Sequence, residues 1–188
     1  EVTVTITPNG GTYGSVVAAA AKLTGAVDGE NVPVTLTYTG NGYNDTAVPV
    51  NAGSYTVTAS IANRNYTLTE NTTANFVITP KPVTVTGITA NDKVYDGTTD
   101  AKLNFSNAKF AGILENDKLT VAAKGMFEKA EAGKQNVAIS DLELGGDSVA
   151  NYVLAESGNQ TETTATITAK EVTVTITPNG GTYGSVVA

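Results

Sequence analysis

Residues 1–18 read EVTVTITPNGGTYGSVVA, and residues 171–188 read the same eighteen letters again. An exact duplication at a spacing of 170 residues marks a tandem array. A solenoid turn repeats every ~20–50 residues, so a period this long makes the repeating unit one or more folded domains strung in line. The chain reads as a slice of that array, and its role has to be argued from how units follow one another.

Inside the long period lies a second, weaker duplication. The first half opens VTVTITPNGGTYGS at Val2 and the second opens VTVTGITANDKVYDGT at Val83, which makes Tyr13 and Tyr95 equivalent. Further on, NAGSYTVTASIANRNYTLTE from Asn51 answers EAGKQNVAISDLELGGDSVANYVLAE from Glu131, pairing Gly53 with Gly133 and Tyr66 with Tyr152. The halves close alike on ANFVITPKPVTVT and ATITAKEVTVT. These landmarks define an A unit of residues 1–81, a B unit of residues 82–170, and in 171–188 the first strand of a further A unit.

Each unit reads as a succession of short strands. Val2, Val4 and Ile6 share one face while Thr3 and Thr5 share the other, the period-two alternation of a half-buried strand. Val34, Leu36 and Tyr38 repeat the pattern, as do Tyr55, Val57 and Ala59, then Val137 with Ile139 and Ala165 with Ile167. Turn formers separate the runs, among them PNGG at 8–11, DGEN at 28–31 and ENDK at 115–118. The expected class is all-β, with two small Ig-like β-sandwiches in tandem. The alternative for the first unit is a β-grasp, which hangs on Ala18–Lys22, a run of good helix formers. The units join through Pro80, Lys81 and Pro82; proline fixes φ, so this joint should be short and stiff. With little sequence left for an interface, the units are expected to unfold semi-independently.

The chain contains no Cys and no His, which removes disulfides, thiolate and imidazole metal sites, cysteine nucleophiles and histidine bases together. Paired carboxylates such as Glu128 with Glu131, or Glu143 with Asp147, are the nearest approach to a glycosidase pair. They lie in turn-rich segments of domains too small to wall off a cleft, so no enzyme and no cofactor are expected. Loop acids, Asp28 with Glu30, Asp96 with Asp100 and Glu115 with Asp117, offer oxygens of the kind calcium takes but match neither an EF-hand nor an RTX nonapeptide, and turn and solvation roles are expected for them. A net charge of −7 with a single Arg, Arg64, gives no footprint for nucleic acid. Neither a membrane-spanning apolar run nor a charged-then-apolar leader is present.

At TYG (Thr12–Gly14) and KVYDGTTDA (Lys93–Ala101) the chain resembles two linked families of bacterial surface repeat, the MBG domain of YGX type and the YDG domain. The segment LTYTGNGYNDTAVPVNAGSYTVTASIANRNYTLT at 36–69 adds to the first resemblance and ANYVL at 150–154 to the second. The resemblance implies the stalk or adhesive array of a large adhesin, secreted or held at the bacterial cell surface, with neighbouring repeats as partners and no catalytic residue. A rival reading is a module that binds host glycan or protein weakly per copy and gains avidity by repetition; Tyr38 with Tyr43 is the nearest thing to an aromatic platform.

Five of the motif residues, Tyr13, Gly14, Tyr95, Asp96 and Gly97, suit a structural role. Each tyrosine follows the first strand beside a glycine turn, so its ring should cap the core while its hydroxyl bonds backbone across the turn. Tyr66 and Tyr152, each in an Asn-Tyr step, are expected to be buried.

Overall fold

The computed structural model describes residues 1–70, 72–180 and 183–184. The chain is all-β, as the alternation requires. Its A-unit strands are β1 (Thr3–Asn9), β2 (Gly11–Thr12), β3 (Ala18–Thr24), β4 (Val34–Gly40), β5 (Tyr43–Asp45), β6 (Gly53–Ile61) and β7 (Thr73–Thr79). The B-unit strands begin with β8 (Lys81–Thr86), β9 (Thr89–Ala90), β10 (Lys93–Val94), β11 (Asp100–Ala101), β12 (Leu103–Asn104) and β13 (Lys109–Ala111). They continue through β14 (Thr120–Phe127), β15 (Gly133–Gly145), β16 (Tyr152–Leu154) and β17 (Glu162–Thr168), with one 3-10 turn at Val149–Asn151.

The first strand of the A unit forms an antiparallel pair with β3, from Thr3 opposite Thr24 to Asn9 opposite Ala18. That pair covers a five-stranded sheet ordered β2-β7-β6-β4-β5. The core lies between the layers: Ile6 and Ala19 pack against Tyr38, Tyr55, Val57, Phe76 and Ile78. The alanine run 18–21 is therefore strand and not helix. Ala19 and Ala21 alternate with Ala18 and Ala20 between half-buried and exposed positions, and small side chains let the pair sit close on an aromatic cluster whose Tyr55 and Phe76 rings stack at 5.6 Å. The helix on which the β-grasp alternative hung is absent.

The B unit repeats the plan with interruptions. A five-stranded sheet β10-β17-β15-β14-β11 faces β8, which lies between β13 and β16, and the two-stranded pair β12-β9. Val85 and Ile88 meet Val121 and Ile139 in one cluster; Phe127, Val137, Ala165 and Ile167 form another. The strand that is continuous as β1 is broken at Gly87, whose φ of +81 and close approach to the Asn107 carbonyl leave no room for a Cβ. Asn159 and Gln160 repair the break: Asn159 Oδ1 accepts from Val85 N–H at 3.0 Å, and Gln160 both accepts from Ile88 N–H at 2.9 Å and donates to Ile88 O at 2.7 Å.

Backbone pairing places the matched glycines and tyrosines alike in the two units. β2 runs parallel to the end of β7, Gly11 opposite Ile78, and β10 runs parallel to the end of β17, Lys93 opposite Ile167. Gly53 lies opposite Ile78 and Gly133 opposite Ile167. Val2 bridges Leu68 in parallel as Val83 pairs with Leu154, each two residues beyond its matched tyrosine.

The opening strand and its copy part company. Val2 and Val4 are 1% exposed, whereas Val172, Val174 and Ile176 are 82%, 82% and 84% exposed. Residues 171–180 form no strand, correcting the reading of 171–188 as one; 181–182 and 185–188 lie outside the described residues. Among the described residues nothing pairs with 171–180, and an unpaired strand gains nothing from extension. Deleting 171–188 should leave the unfolding free energy from urea titration unchanged within about 0.5 kcal/mol. Deleting the identical residues 1–18 should abolish the cooperative unfolding of the A unit, as read from the tyrosine signal of its core.

Candidate functional site

The last strand of the A unit and the first of the B unit are separated by Pro80 alone, and Lys81 already pairs with Tyr152. The B unit therefore begins where its own Tyr152 and the turn Leu114–Asp117 meet the loops of the A unit. The site is this joint.

Tyr13 comes from the turn after β2, held by its N–H on Thr79 O at 2.8 Å and by Ser15 N–H on Thr12 O at 2.8 Å. Its ring meets Tyr152 edge to face with centroids 5.4 Å apart, a favoured aromatic geometry. Its hydroxyl donates to Asp117 Oδ2 at 3.0 Å. Tyr152 donates to the same oxygen and accepts from Leu114 N–H at 2.9 Å. Ser148 donates to Asp117 Oδ1 at 3.2 Å, so one carboxylate gathers three hydroxyls. Gly14 has a φ of +82, which strains any side chain, and a Cβ there would lie 2.6 Å from Leu114 Cδ1 and push that side chain aside. Beside these, Asn151 accepts from Ala52 N–H at 2.8 Å and donates to Asn51 Oδ1 at 3.1 Å. Flanking the joint is a cleft of about 380 Å³ whose apolar walls include Val16, Pro49, Val50 and Leu114.

The motif residues divide sharply. Tyr13, Gly14 and Tyr152 converge here. The Tyr13 hydroxyl bonds a side chain of the other unit rather than backbone across its own turn, because Asp117 is the acceptor within reach. Tyr95, Asp96 and Gly97 lie at the far end of the B unit. Asp96 Oδ1 accepts from Lys93 Nζ, Thr98 N–H and Thr98 Oγ1, each at 2.9 Å, and Lys93 Nζ also lies over the Phe127 ring at 5.4 Å. The loop is thus closed on itself, Gly97 has φ +80 with open space around it, and the Tyr95 ring is left 43% exposed; it caps no core. Tyr66 corrects a second expectation: it is half-buried and outside the core cluster, its hydroxyl donating to Glu30 Oε2 at 2.6 Å and accepting from Val27 N–H at 2.9 Å. Tyr152 is 6% exposed because the Tyr13 ring covers it, and no second ring among the described residues covers Tyr66.

Sequence reasoning passed over Leu114 and Asn151 and read Asp117 as a turn acid or calcium ligand. Among the described residues no group of three or more acids is placed to hold a metal ion; Glu30, Asp96 and Asp117 are each engaged by hydroxyls or by lysine. Tyr38 is packed in the A core at 3% exposure, and the Tyr43 hydroxyl donates to Ala47 O at 2.9 Å, so these two rings form no open platform. The one available signal for Asn151 was its place in an Asn-Tyr step shared by both units.

The electrostatics bind the joint to pH. Burial first, and then the bond to Asp117, raise the Tyr13 pKa and push Tyr152 up to about 12. The Asp117 carboxyl is lowered, chiefly by the hydrogen bond from Tyr152 and further by Tyr13 and Ser148, against an opposing effect of burial. The tyrosines, raised in the folded state, contribute stability that is complete below pH ~10 and lost as pH rises through the folded values. The depressed carboxylate contributes stability that is complete above its ordinary value and lost as pH falls through the folded one. Asp117→Asn should bring the Tyr152 phenolate transition, read by absorbance, below about 12 and flatten both limbs of the stability profile. Tyr152→Ala should cost about 3–5 kcal/mol in urea unfolding, and Tyr66→Ala nearer about 1 kcal/mol.

Residues 79–161 match the family model of the YDG domain. The match spans the YDG motif at 95–97, the turn 114–117 and Tyr152, and leaves 1–78 outside it. No curated protein and no solved structure matches the chain.

Proposed function

We propose that the chain is a non-catalytic segment of an extended stalk, each repeat contributing an A and a B unit to a bacterial adhesin that is secreted or held at the cell surface. The observation that carries this reading is the joint. β7 passes into β8 through one proline, and Tyr13, Tyr152, Asp117 and Asn151 bridge the units on either side of it. A flexible tether would use a Gly/Ser linker with no contacts; here the backbone is stiff and side chains hold the two bodies in one relation. The exact return of residues 1–18 at 171–188 supports serial repetition. Attachment to a bacterial surface is the part of the reading supported by the resemblance of the A unit to MBG repeats and of the B unit, which matches the YDG domain, to surface repeats. Partners are then the neighbouring repeats of the same chain.

The long A-unit strands of seven to nine residues set the length of that unit at on the order of 25 Å. Small-angle scattering from chains of two, three and four repeats is expected to give a radius of gyration rising in proportion to repeat number. Growth as a compact body, with about the 0.38 power of length, would contradict the stalk.

The second reading, a low-affinity binder of host glycan or protein, is favoured by the apolar cleft beside the joint, where Val16 and Val50 are 88% and 71% exposed. Binding on a glycan array that emerges only as copy number rises would bring it forward.

A further inference from the structure

Both units carry the same receiving end, and only one of the two is occupied. In the B unit, Asp117 N–H closes a turn onto Leu114 O at 3.3 Å, Leu114 N–H donates to the Tyr152 hydroxyl at 2.9 Å, and that hydroxyl donates to Asp117. In the A unit, Glu30 N–H closes a turn onto Val27 O at 3.0 Å, Val27 N–H donates to the Tyr66 hydroxyl at 2.9 Å, and that hydroxyl donates to Glu30 at 2.6 Å. The third residue of each turn takes a positive φ, +73 at Asn116 and +86 at Gly29. Asn151 and Asn65 precede the two tyrosines.

The delivering end is duplicated too. Tyr13 N–H donates to Thr79 O and Tyr95 N–H donates to Thr168 O, both at 2.8 Å, next to the strand that leads into the following unit. Ala52, whose N–H reaches Asn151, has its counterpart in Ala132 of the aligned turn.

Cover is what distinguishes the two sets. Ala52 is 8% exposed while Ala132 is exposed; Asn151 is half-buried and Asn65 exposed; Leu114 is half-buried and its counterpart Val27 is 64% exposed. Tyr13, Ala52, Asn151 and Leu114 thus each have a more exposed counterpart, on the Tyr95 end of the B unit or on the Tyr66 face of the A unit.

We infer that the Tyr95 end of the B unit is a plug for the Tyr66 face of the A unit in the next repeat of the same chain, so that the B-to-A joint reproduces the A-to-B joint. The Tyr95 hydroxyl donates to Glu30, its ring lies edge-on to Tyr66, and Ala132 N–H donates to Asn65. The backbone delivers this register. Lys81 pairs with Tyr152 two residues before Val83 pairs with Leu154, and Lys170 stands two residues before Val172, the copy of the Val2 that bridges Leu68. Lys170 therefore falls opposite Tyr66 of the following unit. The two sets differ at three places: Ser148 aligns with Ala62, Asn51 aligns with Glu131, whose carboxylate can accept as the Asn51 amide oxygen does, and an acid is inserted after Tyr95. Lys93 pairs that acid at 2.9 Å, so Asp96 does not confront Glu30 as a free charge. The array then has one kind of joint throughout, each closed by a tyrosine pair sharing a carboxylate.

The inference rests on the array reading, and one extended chain separates the two. Residues 19–81 are appended after Ala188 to complete a second A unit, and nitration of Tyr95 is followed by peptide mapping. Tyr95 should react several-fold more slowly in the extended chain than in the 188-residue chain, and Glu30→Ala in the added unit alone should restore the faster rate. The buried Tyr55 of the added unit, protected as in the first, reports that this unit has folded. Equal Tyr95 rates in the two chains would overturn the joint, as would protection that survives Glu30→Ala together with Asn65→Ala in the added unit. Scattering from the same chain addresses the stalk separately: an elongated particle with a reactive Tyr95 removes the joint and leaves the array, and a compact one with a protected Tyr95 does the reverse.

Discussion

Everything in each unit is arranged around its first strand. Val2 and Val4, and in the second unit Val83 and Val85, are at most 1% exposed. Each of these strands has an antiparallel neighbour on one edge and, on the other, a parallel partner from near the end of the unit. A strand paired on both edges cannot slide by one residue without turning its valines to water. Its position is therefore fixed from within the unit. Because it follows the preceding unit's last strand after a single proline, fixing it also fixes where the next unit begins.

That arrangement explains why side chains from both units converge at the joint. The tyrosine hydroxyls and Asp117 would be costly to bury unpaired, whereas together they satisfy one another; no buried side-chain nitrogen or oxygen among the described residues lacks a partner. The cluster holds two bodies in one relation and makes that relation depend on the protonation of three groups. The same turn chemistry recurs around Tyr66 and Glu30 without a cover, which is what a repeated joint requires of the side facing its other neighbour.

Much of this was legible in the residues. Alternation gave the long strands, since Val, Ile and Tyr at every second position bury one face of a pleat, and the aligned landmarks gave the common plan. Sequence favoured a strand with small residues at Ala18–Ala21 but left a helix open, because alanine has the highest helix propensity and only close packing against the tyrosine and phenylalanine rings of the A core decides between them. It could not show that matched tyrosines differ in burial. Tyr152 and Tyr66 occupy one position in the plan, yet the cover on Tyr152 comes from Tyr13, a residue 139 positions away in the chain. Asp117 read as an ordinary turn acid for the same reason: its three donors arrive from separate segments.

The sharpest division lies between two stretches with the same letters. The sequence by itself determined that 1–18 and 171–188 have one apolar face of Val, Val and Ile and one threonine face, hence the same capacity to be a strand. It also determined that the chain is a repeat without cysteine or histidine chemistry. Only tertiary structure decided that the first copy is a buried central strand while residues 171–180 of the second stay exposed and unpaired. Burial of a strand face is a property of the partners that close over it, and those partners, β3 and the Leu68 segment, lie elsewhere in the chain.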